Sequence, residues 1–263
     1  MTPLERIGEM FRLASTDNRM FPATVFYNEG WLLRLVLDWL SRQHLEGNLL
    51  AFSPGARWYS EALLPSQFLA RQRPDHLAEG WTHADGVIGH VLIGDSALAD
   101  TRLADDASQF LVAEAKLFSS LSPRVTNAAY FDQAARSVAC IAEVLFRGRR
   151  RPEHFSSLGF FVLAPQGQIR AHVFSAEVSK DSIQSKVSKR VSEYPSPARE
   201  DKEQWLREWF VPTLLQMKIE CIAWEDIVES ISTIDANFGS QLSDYYGHCL
   251  RFSRVQEPDL YPA

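Results

Sequence analysis

Cysteine is scarce in this chain, and what there is lies scattered. The 3 cysteines, Cys140, Cys221 and Cys249, form no CxxC pair. That argues against a structural zinc site and a disulfide framework, and it points to a reducing, cytoplasmic setting. Positive charge is also short: 27 Lys and Arg stand against 33 Asp and Glu, a net charge of -6. Such a balance argues against a nonspecific nucleic-acid coat, although a local basic groove is compatible with it. No apolar run approaches the ~18 residues that a membrane-spanning helix needs. Nucleotide-cradle motifs (GxGxxG, GxxxxGK[ST]) and the GxSxG and HExxH signatures are missing, and Gly86, Gly89 and Gly94 resemble a glycine-rich loop only superficially. There is no internal repeat and no low-complexity segment.

What is present is a chain of 263 residues, 46% hydrophobic, enough for one large domain with its own core. It opens as a capped helix, with Thr2 as N-cap, Pro3 at N1 and Glu5 at N3, and not with the basic start and apolar core of a signal peptide. Leu4, Ile7, Met10, Phe11 and Ala14 fall at helical spacing. So do Leu32, Leu35, Val36, Trp39 and Leu40 after Tyr27-Asn28, with Gly47 just beyond. Residues 49–52 and 57–60 are candidate first strands around the turn Ser53-Pro54-Gly55.

Two apolar runs follow. Val87 to Ile93 is preceded by Asp85-Gly86 and followed by Gly94-Asp95. Phe110 to Ala113 ends in Glu114-Ala115-Lys116. Together they predict a β-hairpin. Past a turn at Ser122-Pro123, Phe131, Ala134, Val138, Ile141 and Leu145 line a long helix. Strands are predicted over 159–164 and 168–174, and a basic helix over 178–193. The polar stretch 195–204 is the best linker candidate. A helix over 201–216, a strand over 218–223 and a helix from Trp224 complete a mixed α/β reading.

The hairpin concentrates the chemistry. Antiparallel pairing sets the start of its first strand beside the end of its second, so Asp85, Glu114 and Lys116 become neighbours. Glu114 and Lys116, two apart, point to one face. A charged pair closing an apolar strand must be paired or bind metal. Asp85, Glu114 and the Ala115 carbonyl form a donor set for Mg²⁺ or Mn²⁺. A metal held there lowers the pKa of a bound water and neutralises a scissile phosphate, with Lys116 stabilising developing negative charge. Asp105 and Asp106 are rejected as ligands, because they lie roughly 25–30 Å away at ~3.3 Å per residue. Asp95 and Asp100 share their acidic loop.

Glu29 is the next candidate; it reads equally as a site carboxylate or as a first-turn acid favoured by the helix dipole. Tyr130, Gln133 and Ser137 share a helix face with Arg136 one turn on, able to approach a phosphate or to remain a solvated surface. Arg147, Arg149, Arg150 and Arg151 form the densest basic cluster, a phosphate contact or a helix C-terminus. Lys186, Lys189 and Arg190 are a second such face, for which a plain surface is the safer reading. His83 and His90 flank Asp85, with hydrogen-bonded structural roles favoured. Trp205, Trp209 and Trp224 read as core or interface.

Taken together these residues resemble the PD-(D/E)XK nuclease superfamily, the fold of many restriction endonucleases and repair nucleases. The pattern is an Asp opening one core strand (Asp85), a (D/E)xK closing the next (Glu114, Lys116), a Glu on a preceding helix (Glu29) and a glutamine on the following helix (Gln133). Ala84 stands where the pattern has a proline before the Asp. The resemblance covers about residues 28–175. It implies a restriction-endonuclease-like α-β-β-β-α-β core with a mixed central sheet flanked by helices, and a helix-and-strand extension over about 176–263 within a single domain. It further implies a metal-dependent nuclease acting on DNA, alone, as a homodimer or with a partner subunit, in restriction, phage defence or repair. Arg136, Arg149 and Arg150 would then contact substrate. A binding or regulatory protein that kept the fold without the chemistry is the competing reading.

Overall fold

The computed structural model describes residues 2–17, 21–43, 45, 47–70, 75, 77–94, 100–121 and 128–253. The readings placed on Asp95, on Ser122-Pro123 and on the side chain of Ala14 lie outside the described residues. The chain forms two compact units, one from residues 33–227 and one from the chain ends, 1–32 and 228–263.

The chain-end unit is helical. Helix α1 (Pro3–Asp17) starts as its sequence dictates. The Glu5 amide donates to Thr2 Oγ1 at 3.3 Å, and the Thr2 amide donates to Glu5 Oε2 at 2.6 Å, a reciprocal capping box. Helix α2 (Glu29–Leu40) begins here, capped by Asn28, whose Oδ1 accepts from the Trp31 amide at 3.0 Å.

The larger unit is built on a mixed five-stranded sheet. After α2 come β1 (Arg57–Leu64), β2 (Thr82–Gly89), β3 (Val91–Ile93), β4 (Thr101–Leu103) and β5 (Gln109–Ala115). Helix α3 (Gln133–Arg147) then leads to β6 (Ser157–Ala164), α4 (Gln166–Arg170), α5 (Lys180–Ser192), α6 (Ala198–Trp205), a π-turn and α7 (Val211–Gln216). Strand β7 (Lys218–Ala223) and α8 (Trp224–Ile234) follow, then α9 (Ala236–Ser253) in the chain-end unit. The sheet order is β1-β2-β5-β6-β7, while β3 and β4 form a separate small ribbon. Strand β2 pairs antiparallel with both β1 and β5; β5, β6 and β7 run parallel to one another.

Packing follows the residue pattern. Asp132 caps α3 by accepting from the Ala135 amide at 3.0 Å. Ala134, Val138, Ile141 and Leu145 then recur on one buried stripe, against Phe110, Val112, Phe160 and Val162 of the sheet. Leu33 and Leu37 of α2 cover the opposite face over Gly86. Strand β6 is buried along nearly its whole length, as a central parallel strand covered on both faces should be.

Four expectations need correction. Residues 49–52 form no strand. Asn48 instead takes the Leu50 amide on its side chain (2.8 Å), and Gln109 bonds the Ala51 carbonyl (2.7 Å) and the Ser53 amide (2.8 Å). A strand over 168–174 is also absent. Both edges of β6 are occupied by β5 and β7, and the segment turns into α4. The linker candidate 195–204 largely becomes α6, whose Lys202 and Trp205 are buried. Asp85 lies inside β2, which begins at Thr82, while His90 splits the predicted run 87–93 into β2 and β3.

The join at His90 demands a close approach. Gly89 has φ +153°, and a Cβ there would run into the Gln109 carbonyl of β5. Gly89→Ala should therefore destabilise the fold by about 3 kcal/mol through overpacking and backbone strain, measured as a lowered urea midpoint. An unchanged midpoint would show that this approach is not required.

Candidate active site

The antiparallel ladder between β2 and β5 stops at Gly86–Ala113, although β2 extends back to Thr82 and β5 forward to Ala115. The strands part there, and Asp85 fills the gap. Its Oδ2 accepts from the Ala115 amide at 2.9 Å, replacing the ladder bond that the splay removes. One residue's N–H and C=O leave a strand on the same side, so the Ala115 carbonyl also faces this gap. On the other side the Lys116 amide donates to Leu163 of β6 at 2.8 Å.

Glu114 is 1% exposed and Lys116 5%. Lys116 Nζ donates to Glu114 Oε1 at 2.9 Å, and Gln133 Nε2, at the start of α3, donates to the same oxygen. The other oxygen, Glu114 Oε2, is buried and has no donor facing it, while Asp85 lies close enough to accept a hydrogen bond from the Glu114 carboxyl when it is protonated. Burial, followed by the charge of Asp85, pushes the Glu114 carboxyl up to about 8, partly opposed by Lys116. Near neutrality the Glu114 carboxyl therefore favours holding its proton.

Asp85, Glu114, Lys116 and Gln133 are thus brought together. Other candidates are engaged elsewhere. Arg136 donates to the Trp81 carbonyl at 2.9 Å, and its Nε lies 3.5 Å from Glu79 Oε2. Arg150 donates to the Ala107 carbonyl at 2.8 Å, and Arg149 is exposed beside it. Both follow the far end of α3, about 20 Å from Gln133 at ~1.5 Å per residue. Tyr130 donates to Glu193 at 2.5 Å, and Ser137 is buried. The basic face of α5 is no phosphate-binding face: Lys186 pairs with Asp132 at 2.5 Å, Lys189 lies over the Tyr130 ring, and Arg190 is fully buried, donating to Leu77.

His90 accepts from the Ser108 and Gln109 amides at 3.2 Å and bonds Pro54, a structural role. His83 is exposed near the Glu61 carbonyl. Glu29 heads α2 in the chain-end unit, where its charge adds to burial in raising the Cys249 thiol. Asp105 and Asp106 sit in the turn after β4, at the opposite end of β5 from Glu114.

Among the described residues no group of three or more His, Cys, Asp and Glu gathers as a metal cage. Two carboxylates, one with an orphaned buried oxygen, and a carbonyl do suit Mg²⁺, which keeps several waters of its own. A cavity of about 660 Å³ opens elsewhere, between Trp81, Arg102, Asp105 and Arg147. Among the described residues, that cavity has no buried, perturbed acid beside a cation, whereas the end of β5 has one in Glu114 beside Lys116.

One contact was not anticipated from sequence. Trp224, read as core, donates its indole N–H to the Lys116 carbonyl at 2.9 Å. Only its position directly after a predicted strand hinted at a role. No protein-family model, curated protein or solved structure matches this chain.

The Glu114 carboxyl makes stability depend on pH. Its folded pKa is raised, so the folded state holds the proton more tightly than the unfolded state. That contribution is complete below about pH 4.5 and is lost as pH climbs through about 8. Glu79, raised by burial, acts in the same sense. With EDTA present, the urea midpoint of the wild type should fall between pH 5 and 8, and Glu114→Gln should flatten that fall. An equally steep fall in the variant would contradict the assignment.

Proposed function

We propose that this protein is a divalent-metal-dependent nuclease hydrolysing phosphodiester bonds, with DNA as its first expected substrate. The observation that carries this reading is the convergence of Asp85, Glu114 and Lys116 where β2 and β5 part, with Gln133 on the Glu114 carboxylate. We read the order α2-β1-β2-β5-α3-β6, with β3 and β4 as an inserted ribbon, as a restriction-endonuclease-like PD-(D/E)XK core. The site also lies at the carboxyl ends of parallel strands, where open α/β sheets bind ligands.

In this reading Asp85, Glu114 and the Ala115 carbonyl hold Mg²⁺ or Mn²⁺. Bound there, the metal supplies a water of lowered pKa and charge neutralisation at the phosphate. The residues do the rest. Gln133 and Lys116 both hold Oε1 of Glu114, which fixes the carboxylate and leaves Oε2 for the ion. Asp85 is steadied by the Ala115 amide. Lys116, shielded from water, presents its ammonium to a phosphate oxygen as negative charge develops. The net charge of -6 suits an enzyme that takes part of its DNA contact from a second copy or a partner subunit.

Wild type, Lys116→Ala and Glu114→Ala should be incubated with single- and double-stranded DNA and RNA in Mg²⁺, Mn²⁺ or EDTA. The expected result is metal-dependent cleavage that either substitution reduces by about 10²- to 10³-fold. The reading fails if wild type cuts nothing in either metal, or if Lys116→Ala cuts equally well. Binding of the metal alone without cleavage would support the regulatory alternative.

Calorimetry offers a second test, because the ion must displace the Glu114 proton. Mn²⁺ affinity should rise by about tenfold per pH unit up to pH about 8, with release of about one proton. A pH-independent affinity would remove Glu114 from the ligand set.

A further inference from the structure

Lys116 is the residue just past β5, and its backbone leaves the sheet there. Its amide continues the ladder to Leu163 of β6, at 2.8 Å. Its carbonyl meets the indole N–H of Trp224, at 2.9 Å. Trp224 is 0% exposed and is the first residue of α8, immediately after β7. The next residue, Glu225, accepts the Gln166 amide at 2.9 Å, just past the end of β6. The head of α8 therefore ties down the carboxyl ends of both β5 and β6.

A lysine that must meet one carboxylate oxygen cannot be placed by its own flexible stem. Its backbone has to be fixed on both sides. β6 fixes the amide side through a regular strand partner, but the strand ends there and the carbonyl has no ladder bond to take. The indole supplies one from a rigid, fully buried ring.

We propose that Trp224 is a positioning residue for Lys116, and that the β7–α8 junction is part of the reactive site and not an appended layer. The catalytic role of Lys116 in this statement rests on the nuclease reading; the positioning does not.

The test uses the full-length chain and two readouts. In the first, wild type and Trp224→Phe are exposed to acetic anhydride, and acetylation is followed lysine by lysine by mass spectrometry. Phenylalanine keeps an apolar ring but has no N–H. Lys116, with 7% of its side chain exposed, should react about fivefold faster in the variant. Lys202, 3% exposed and bonded to the Gln67 carbonyl at 2.6 Å, reports general loosening and should not change. An unchanged Lys116 rate, or a parallel rise at Lys202, would overturn the proposal.

In the second readout, Trp224→Phe should lower kcat by about tenfold with KM little changed, and it should add nothing to Lys116→Ala in the double variant. Additive losses would make Trp224 a plain core residue. If wild type cuts no nucleic acid, the nuclease reading falls and acetylation alone decides the positioning. If Trp224→Phe does not fold, Glu225→Ala loosens the same helix end. It should raise Lys116 acetylation with Lys202 unchanged, and the failure of that rise counts against the proposal.

Discussion

A carboxylate removed from water is the constraint around which the larger unit is organised. Glu114 sits in the middle strand of the sheet, and stripping it of solvent is costly unless partners replace the water. Lys116 and Gln133 replace it at one oxygen only. The other oxygen is buried without a partner, and Asp85 adds like charge. A fold optimised for stability alone would have no reason to keep such a group. A perturbed acid beside a cation is the kind of group on which catalytic sites are built, and the proposed function rests on it.

The surrounding structure supports that one unstable point. Asp132 starts α3 at the depth that brings Gln133 to Glu114, and it is itself pinned by Lys186 of α5. The splay of β2 from β5 makes room for Asp85, which then satisfies the amide the splay exposes. The opposite end of β5 is organised differently. Gln109 and His90 gather the backbone of residues 51–54 and of the β2–β3 join with neutral hydrogen bonds. One end of the sheet is held by side-chain-to-backbone hydrogen bonds, while the other keeps a buried carboxyl oxygen without a partner.

Much of this was legible in the sequence, for specific reasons. The stripe Ala134, Val138, Ile141 and Leu145 has helical period, and no competing pattern overlaps it. The charges closing Phe110–Ala113 stood out because an apolar strand rarely ends in a buried acid and base. The errors are equally specific. Residues 49–52 carry strand-forming side chains, but Asn48 and Gln109 claim their backbone. Residues 168–174 have strand-compatible apolar spacing, but both edges of the preceding strand β6 are taken by β5 and β7, and the chain turns through α4 instead. The pattern reads Arg136 as a phosphate contact or a solvated surface and Lys186 and Arg190 as a plain surface; all three are instead committed to acids or carbonyls inside the protein.

The sequence by itself determined the periodic helices and the central strands, the neighbourhood of Asp85, Glu114 and Lys116, and the acid-base character of that neighbourhood. Periodicity and strand pairing act over short spans, and two runs with one antiparallel register suffice to bring those residues close. Only the tertiary structure decided how far Glu114 is buried, which oxygen is left without a partner, and that Trp224 reaches the Lys116 carbonyl. Those outcomes depend on elements separated by as many as 108 positions in the chain. Desolvation and side-chain reach are properties of the assembled packing, which no local pattern encodes.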